Sequence, residues 1–186
     1  MGWSAGALAE YFTTPTEPLR VLPDGVSDAE GAALQPLSAA VVAMRDAAVA
    51  ADDVVAVVGA GVMGANCGQL AREDGARETF AVDVDPEKAA LADDLGLTGI
   101  DATEADPVER IQEATGGVGA DVTVEAVGGA QEHATDGDGP LAQAVAMARK
   151  RGTVLQVGIL TDELRINPRA LRGRAIDLVN PTDGVE

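Results

Sequence analysis

Residues 53 to 83 constrain this chain more than any other stretch. A continuous apolar run, Val54-Val55-Ala56-Val57-Val58, leads into Gly59-Ala60-Gly61-Val62-Met63-Gly64. A helical stretch follows, and then a second apolar run, Phe80-Ala81-Val82, which ends at Asp83. Strand, glycine turn, helix and strand, with an acid about 20 positions beyond the glycines, form a pattern that binds dinucleotides. Each piece has a separate physical job. One glycine permits the tight turn, one lets backbone approach a pyrophosphate, and one lets the helix pack close to the strand. The helix N-terminus offers free N–H groups and positive partial charge to phosphates. Asp83 is suited to accept hydrogen bonds from a ribose 2′-OH and to repel a 2′-phosphate, which favours NAD over NADP.

The alternation continues along the chain. Strands are predicted at 54–58, 79–83, 98–101, 121–127, 153–157 and 176–179. Helices are predicted from Val62 to Glu73, after the Asp85-Pro86 and Asp106-Pro107 cap-and-proline starts, and from Pro140 to Lys150. Gly75, Gly96 and Gly116-Gly117 supply stops. Upstream, Ala7 to Thr13 is read as a strand, and Ser27-Asp28-Ala29-Glu30 as a capping box opening a helix that Pro36 kinks or restarts. Residues 130 to 139 read as a polar loop. Strands alternating with short helices predict an α/β fold, a doubly wound parallel sheet. Right-handed crossovers put the glycine turn and Asp83 at its carboxyl edge. Residues 1–51 are assigned to a partial substrate-domain segment and linking helix, and 52–186 to the dinucleotide-binding domain.

Charge and composition exclude several classes. The chain has 186 residues, with 31 acidic against 13 basic ones, a net charge of −18. Only Lys88 and Lys150 are lysines. The acids are spread through periodic sequence, a pattern expected of a solvated acidic surface in a high-salt cytoplasm. Nucleic acid and acidic membranes are poor partners for it. No apolar run approaches the ~20 residues that span a bilayer. The N-terminus lacks a signal-peptide shape, and a lone cysteine forms no internal disulfide. A cytoplasmic location is expected.

With these motifs in place, the chain resembles the zinc-type medium-chain alcohol dehydrogenase superfamily, nearest its polyol, sugar and threonine dehydrogenase branch. Ala5-Gly6-Ala7-Leu8-Ala9-Glu10-Tyr11 is similar to that family's Gly-x-x-Ala-Glu-Tyr strand. Leu22 to Ser27 and Ala32 to Ser38 resemble the segment leading into its cofactor domain, as do Ala81 to Lys88, Gly119 to Gly129 and Gly152 to Ile159 the later strands. The resemblance implies hydride transfer between NAD and a small alcohol or sugar. It implies that Gly59, Gly61, Val62, Met63 and Gly64 form the phosphate turn, and that Asp83 and Lys88 meet the adenosine ribose. Val127 and Gly128 are then expected near the cofactor, and Val157, Gly158 and Ile159 near the nicotinamide carboxamide. The family's sixth strand pairs across a dimer, so a homodimer through residues 176–179 is expected.

Departures from the family pattern temper the catalytic expectation. The cysteine and His-Glu pair that hold the catalytic zinc, and the structural zinc lobe, precede the matched segment in that family. A later ligand position, often Glu, is Gln35 here, either a remnant of that position or a helix-kink amide. A zinc site wants three or four converging Cys, His or carboxylate ligands. Only Cys67 and His133 offer soft or imidazole donors, so no zinc is expected in this chain and no catalytic residue is assigned. Cys67 reads as a small core residue, His133 as a loop histidine, and Glu125 as a paired structural carboxylate. Three functions remain: an NAD-dependent dehydrogenase, a non-catalytic NAD-binding remnant or part of a split dehydrogenase, and a zinc-independent reductase of the same superfamily.

Overall fold

The computed structural model describes residues 9–17, 19–131, 139–161, 163, 165 and 167–181. His133 and the first residues of the Ala5–Tyr11 motif lie outside them. The chain divides into two compact units, one ending at Leu34 and the other starting at Gln35.

In the first unit, the described part of the strand predicted over Ala7–Thr13 is not a strand. Tyr11 is 90% exposed and Phe12 54% exposed, so no side-chain burial supports a strand at these residues. The capping box is formed. Ser27 N–H and Ser27 Oγ donate to Glu30 Oε2 at 2.8 and 2.6 Å, and Glu30 N–H returns to Ser27 Oγ at 3.3 Å. Those Ser27 donors hold the Glu30 carboxyl below the ordinary glutamate range. They open helix α1 (Asp28–Ala47), which runs through Pro36 unbroken, where a restart was one of the expected outcomes. The proline removes one donor from the helical ladder. Residues 32–35 around it are exposed, so the freed carbonyl faces water.

The second unit carries the sheet. Its strands are β1 (Val54–Val58), β2 (Glu78–Asp83), β3 (Thr98–Asp101), β4 (Ala120–Glu125), β5 (Ala148–Gln156) and β6 (Asp177–Val179). They pair in parallel in the order β3-β2-β1-β4-β5-β6. The sequence therefore doubles back between β1 and β4, the switch point where doubly wound sheets open a crevice. Between the strands lie α2 (Val62–Glu73), α3 (Pro86–Asp94), α4 (Pro107–Ala114), α5 (Pro140–Met147) and α6 (Pro168–Arg174). Period-two alternation assigns β1 to two cores. Val54, Ala56 and Val58 pack with Phe80, Ile111, Leu141 and Met147 on the α4/α5 face. Val55 and Val57 pack with Met44, Ala47, Cys67 and Ala71 on the α1/α2 face. No described helix is long and apolar enough to cross a membrane.

Four elements differ from expectation for physical reasons. The helix predicted to reach Lys150 stops at Met147, and β5 begins at once at Ala148 rather than at Thr153. No glycine or proline marks that stop. The Arg174 guanidinium supplies it, donating to the carbonyls of Val145, Ala146 and Ala148. This is a tertiary C-cap, and burial lowers that guanidinium's affinity for its proton. The stretch between the predicted strands 153–157 and 176–179, for which no helix is predicted, holds α6. Asn167 accepts from Arg169 N–H at 3.1 Å and Pro168 follows, the same start that opens α3 and α4. β4 also ends at Glu125, two residues before the predicted Val127, because the chain turns there through Gly128 and Gly129, both at positive φ.

Candidate functional site

The turn from β1 to α2 is shaped differently at each glycine. Gly59 sits at φ +95°, and a Cβ there would lie 2.8 Å from Val127 Cγ2 and 3.1 Å from the Ala126 carbonyl carbon. A Cβ on Gly64 would lie 1.8 Å from the Gly59 carbonyl oxygen, so only glycine lets α2 approach the strand end. Gly61 is the exception: no atom lies within 4 Å of its would-be Cβ. Steric packing within the chain does not require glycine there. The open face lies where Gly61 starts α2 with no side-chain cap. The helices α3, α4 and α6 are instead capped by Asp85, Asp106 and Asn167. Leading donors left without a side chain, beside open space, make an anion-receptive helix start.

Asp83 closes the adjacent side of this turn. Its Oδ2 accepts from Ala60 N–H at 2.9 Å and its Oδ1 from Asp85 N–H at 3.0 Å. Each oxygen keeps a second lone pair. Lys88 Nζ stands 4.0 Å from Asp83 Oδ1 and 3.6 Å from Asp85 Oδ2. With Lys88 half exposed, these contacts stabilise little, and the ammonium stays available to a ligand.

Val127, Val157, Gly158 and Ile159 come together with Met63 around a cavity of about 740 Å³ that also involves Gln35, Ser38, Val42 and Ala126. The volume suits a small-molecule ligand group. Val127 and Ile159 expose apolar side chains, Ile159 at 85%. The loops that follow β4 and β5 are laddered together: Gly129 N–H donates to the Ile159 carbonyl at 2.8 Å and Thr161 N–H to the Gly129 carbonyl at 3.2 Å. Gly128 shares in this close approach, since a Cβ there would lie 2.7 Å from the Ile159 carbonyl oxygen. Thus Gly59, Gly61, Val62, Met63, Gly64 and Asp83 lie around one turn, and the other group lines or backs the neighbouring cavity.

Sequence reasoning missed part of this arrangement. Glu125 is completely buried at the end of β4. Its Oε1 accepts from Val127 N–H (2.9 Å), Gly128 N–H (2.8 Å) and Gln131 Nε2 (3.0 Å). Gln131 Oε1 in turn accepts from Leu141 N–H at 2.8 Å, in the first turn of α5. Gly139 leaves that helix without a side-chain cap of its own. No local sequence signal marks Gln131 for this role, since a glycine also starts α2, where no side chain serves as cap.

Among the described residues no three His, Cys, Asp or Glu side chains converge. Cys67 is buried in the α1/α2 core, and burial pushes its thiol up to about 12. A zinc ligand needs a thiolate, which this environment opposes. The described donor set does not fit zinc.

The doubly wound sheet, with its glycine turn at the switch-point edge, puts this chain in the Rossmann class. The family model described as zinc-binding dehydrogenase matches residues 61–180. The chain belongs to that family. Sorbitol dehydrogenase 1 of Saccharomyces cerevisiae is 34% identical over 161 residues, covering 83% of this chain and 43% of that protein. (R,R)-butanediol dehydrogenase of Bacillus subtilis is 36% identical over 124 residues, 66% of this chain and 36% of that one. Among solved structures, alcohol dehydrogenase TADH from Thermus sp. ATN1 superposes with a TM-score of 0.76 at 29% identity, covering 87% of this chain and 45% of that one. The chain therefore spans less than half the length of these relatives.

Proposed function

We propose that this chain binds NAD, in preference to NADP, at the carboxyl edge of its sheet, as the cofactor-binding part of a dehydrogenase for a small alcohol or sugar. Residues from 52 onward form the binding domain in this reading, and 1–51 hold a partial substrate-side segment and the linking helix, whose Met44 and Ala47 pack into the sheet core. The observation that carries it is the open face of Gly61 at the uncapped start of α2. In a turn where the flanking glycines are tightly filled, that empty space and those donors fit a diphosphate. Val62, Met63 and Gly64 extend the same helix start. Asp83, held against the turn by Ala60, would take the adenosine-ribose hydroxyls, and its charge would oppose a 2′-phosphate. Lys88 would contact the same ribose. Val127, Gly128, Val157, Gly158 and Ile159 would enclose the nicotinamide side in the apolar cavity and limit water there. Bound NAD supplies the hydride acceptor. The names of the relatives support a polyol or a secondary alcohol as substrate.

A second reading is a dinucleotide-binding module without catalysis of its own, alone or as one part of a split enzyme. The lack of a converging donor cluster among the described residues favours it over turnover by this chain. The acidic surface supports a cytoplasm of high salt as its setting, and the edge position of β6 supports a homodimer through that strand. Light scattering tests the dimer, and a monomer refutes it. Fluorescence titration with NADH and NADPH at molar salt tests the main reading. Saturable enhancement with NADH and a weaker response to NADPH are expected. No response to either overturns it.

A further inference from the structure

We propose that Glu125 is a positioning residue of the dinucleotide cleft: it clasps the loop after β4 to the loop after β5 and so sets the shape of the cavity between them. The inference rests on the binding reading above and gives that site a residue which the sequence alone marks only as a structural carboxylate.

Glu125 stands at the switch-point edge, in register with Val58 of β1 on one side and Gln156 of β5 on the other. Both its backbone and its side chain reach across. The Glu125 carbonyl accepts from Val157 N–H at 2.8 Å and Gly158 N–H at 3.0 Å, which anchors the second loop. Its Oε1 gathers Val127 N–H, Gly128 N–H and the Gln131 amide, which anchors the first. Through Gln131 the same carboxyl is linked to the first turn of α5. Four of the residues that line the cavity are thereby tied to Glu125: Ala126 follows it in the chain, Val127 bonds its side chain, and Val157 and Gly158 bond its backbone carbonyl.

The two oxygens of the carboxyl differ. Glu125 Oε2 is buried and has no hydrogen-bond partner among the described residues. A buried polar atom without a partner is destabilising; an apolar side chain of similar volume would remove that cost but leave the Val127, Gly128 and Gln131 donors unsatisfied. What an apolar residue lacks is an acceptor able to hold three donors at one point. The fit is close: a Cβ on Gly158 would lie 2.5 Å from Glu125 Oε2 and 2.3 Å from Gly128 N. The two loops therefore meet at the carboxyl group with no room to spare. Val127 also touches the phosphate turn, since its Cγ2 lies 2.8 Å from the Cβ position of Gly59. A shift of this loop reaches both the turn and the cavity.

The test compares Glu125→Ala, Glu125→Gln and Gly158→Ala with the unaltered chain. NADH affinity is measured by fluorescence titration at a temperature where circular dichroism shows each protein folded. Glu125→Ala is expected to weaken NADH binding by about tenfold or more, the effect of losing hydrogen bonds to a charged acceptor. Glu125→Gln keeps an acceptor oxygen at the junction and is expected to restore affinity to within roughly threefold of the original. Gly158→Ala keeps the carboxyl but forces the loops apart, so it is expected to weaken NADH and alter the emission of the bound form, even if Glu125→Ala does not fold. Unchanged NADH affinity in a folded Glu125→Ala, a Glu125→Gln as weak as the alanine variant, or a Gly158→Ala with unaltered binding overturns the proposal. Failure of the unaltered chain to bind NADH overturns the binding reading, and this inference with it.

Discussion

Asp83 Oδ2 accepts a hydrogen bond from the Ala60 backbone N–H at 2.9 Å, tying the acid at the end of β2 to the glycine turn at the end of β1. The carboxylate is thus oriented by the same turn that carries the open face of Gly61. Asp83→Asn keeps an acceptor for Ala60 but removes the negative charge. NADH binding is expected to weaken by roughly tenfold and the preference over NADPH to shrink by at least as much, from the loss of a charged acceptor. Parallel titrations with both nucleotides read this directly. An unchanged ratio would remove Asp83 from coenzyme choice.

Two glycines three residues apart should respond in opposite ways to the same substitution. Gly64→Ala drives a Cβ to 1.8 Å from the Gly59 carbonyl oxygen. It is expected to lower stability by about 1–3 kcal/mol, the usual range for overpacking. Gly61→Ala meets nothing within 4 Å, and its φ of −71° suits alanine. Its stability change is expected to stay within about 1 kcal/mol, a helix-cap effect, while NADH affinity falls by about tenfold or more. Thermal melts beside titrations separate the two. A Gly61→Ala variant that binds like the original would mean the open face is not reserved for a ligand.

The parts of this fold that local chemistry dictates were legible in the sequence. Val54–Val58, Val62–Glu73 and Pro107–Ala114 follow from an apolar run, a glycine turn and a cap-and-proline start, all local signals. The end of α5 was not legible, because its stop is the Arg174 guanidinium arriving from 26 to 29 residues away. The same holds at the site. The glycines and Asp83 announce themselves by spacing. Glu125 and Gln131 do not, since their meaning lies in which loops the sheet brings together at the switch point. Helix α6 has a local start at Asn167-Pro168, the same cap-and-proline signal that opens α3 and α4.

Cys67 gives a pH prediction. Burial raises its thiol to about 12 from an ordinary value of 9.0. The folded chain therefore holds this proton more tightly than the unfolded chain does. The associated stability is fully present below pH 9 and is lost as pH rises from 9 toward 12. At pH 8 a thiol-alkylating reagent should leave the native chain unmodified and label it only on denaturation. Rapid labelling of folded protein would contradict the buried placement.

The net charge of −18 predicts salt dependence. Between about 0.1 M and 1 M salt the screening length drops from ~10 Å to ~3 Å, which relieves repulsion among the surface carboxylates. The melting temperature should rise over that range, and NADH should bind more tightly because its phosphates meet a less negative surface. A melting temperature that is flat or falls with potassium chloride would count against the high-salt reading.

The most direct test of the account is a ¹⁵N amide spectrum recorded during NAD addition in molar potassium chloride. The amides of Gly61, Val62 and Met63, at the start of α2, should shift most, with Asp83 and Gly158 following along the same saturation curve. Shifts confined to other parts of the chain, or none at saturating NAD, would contradict a diphosphate held at that helix start.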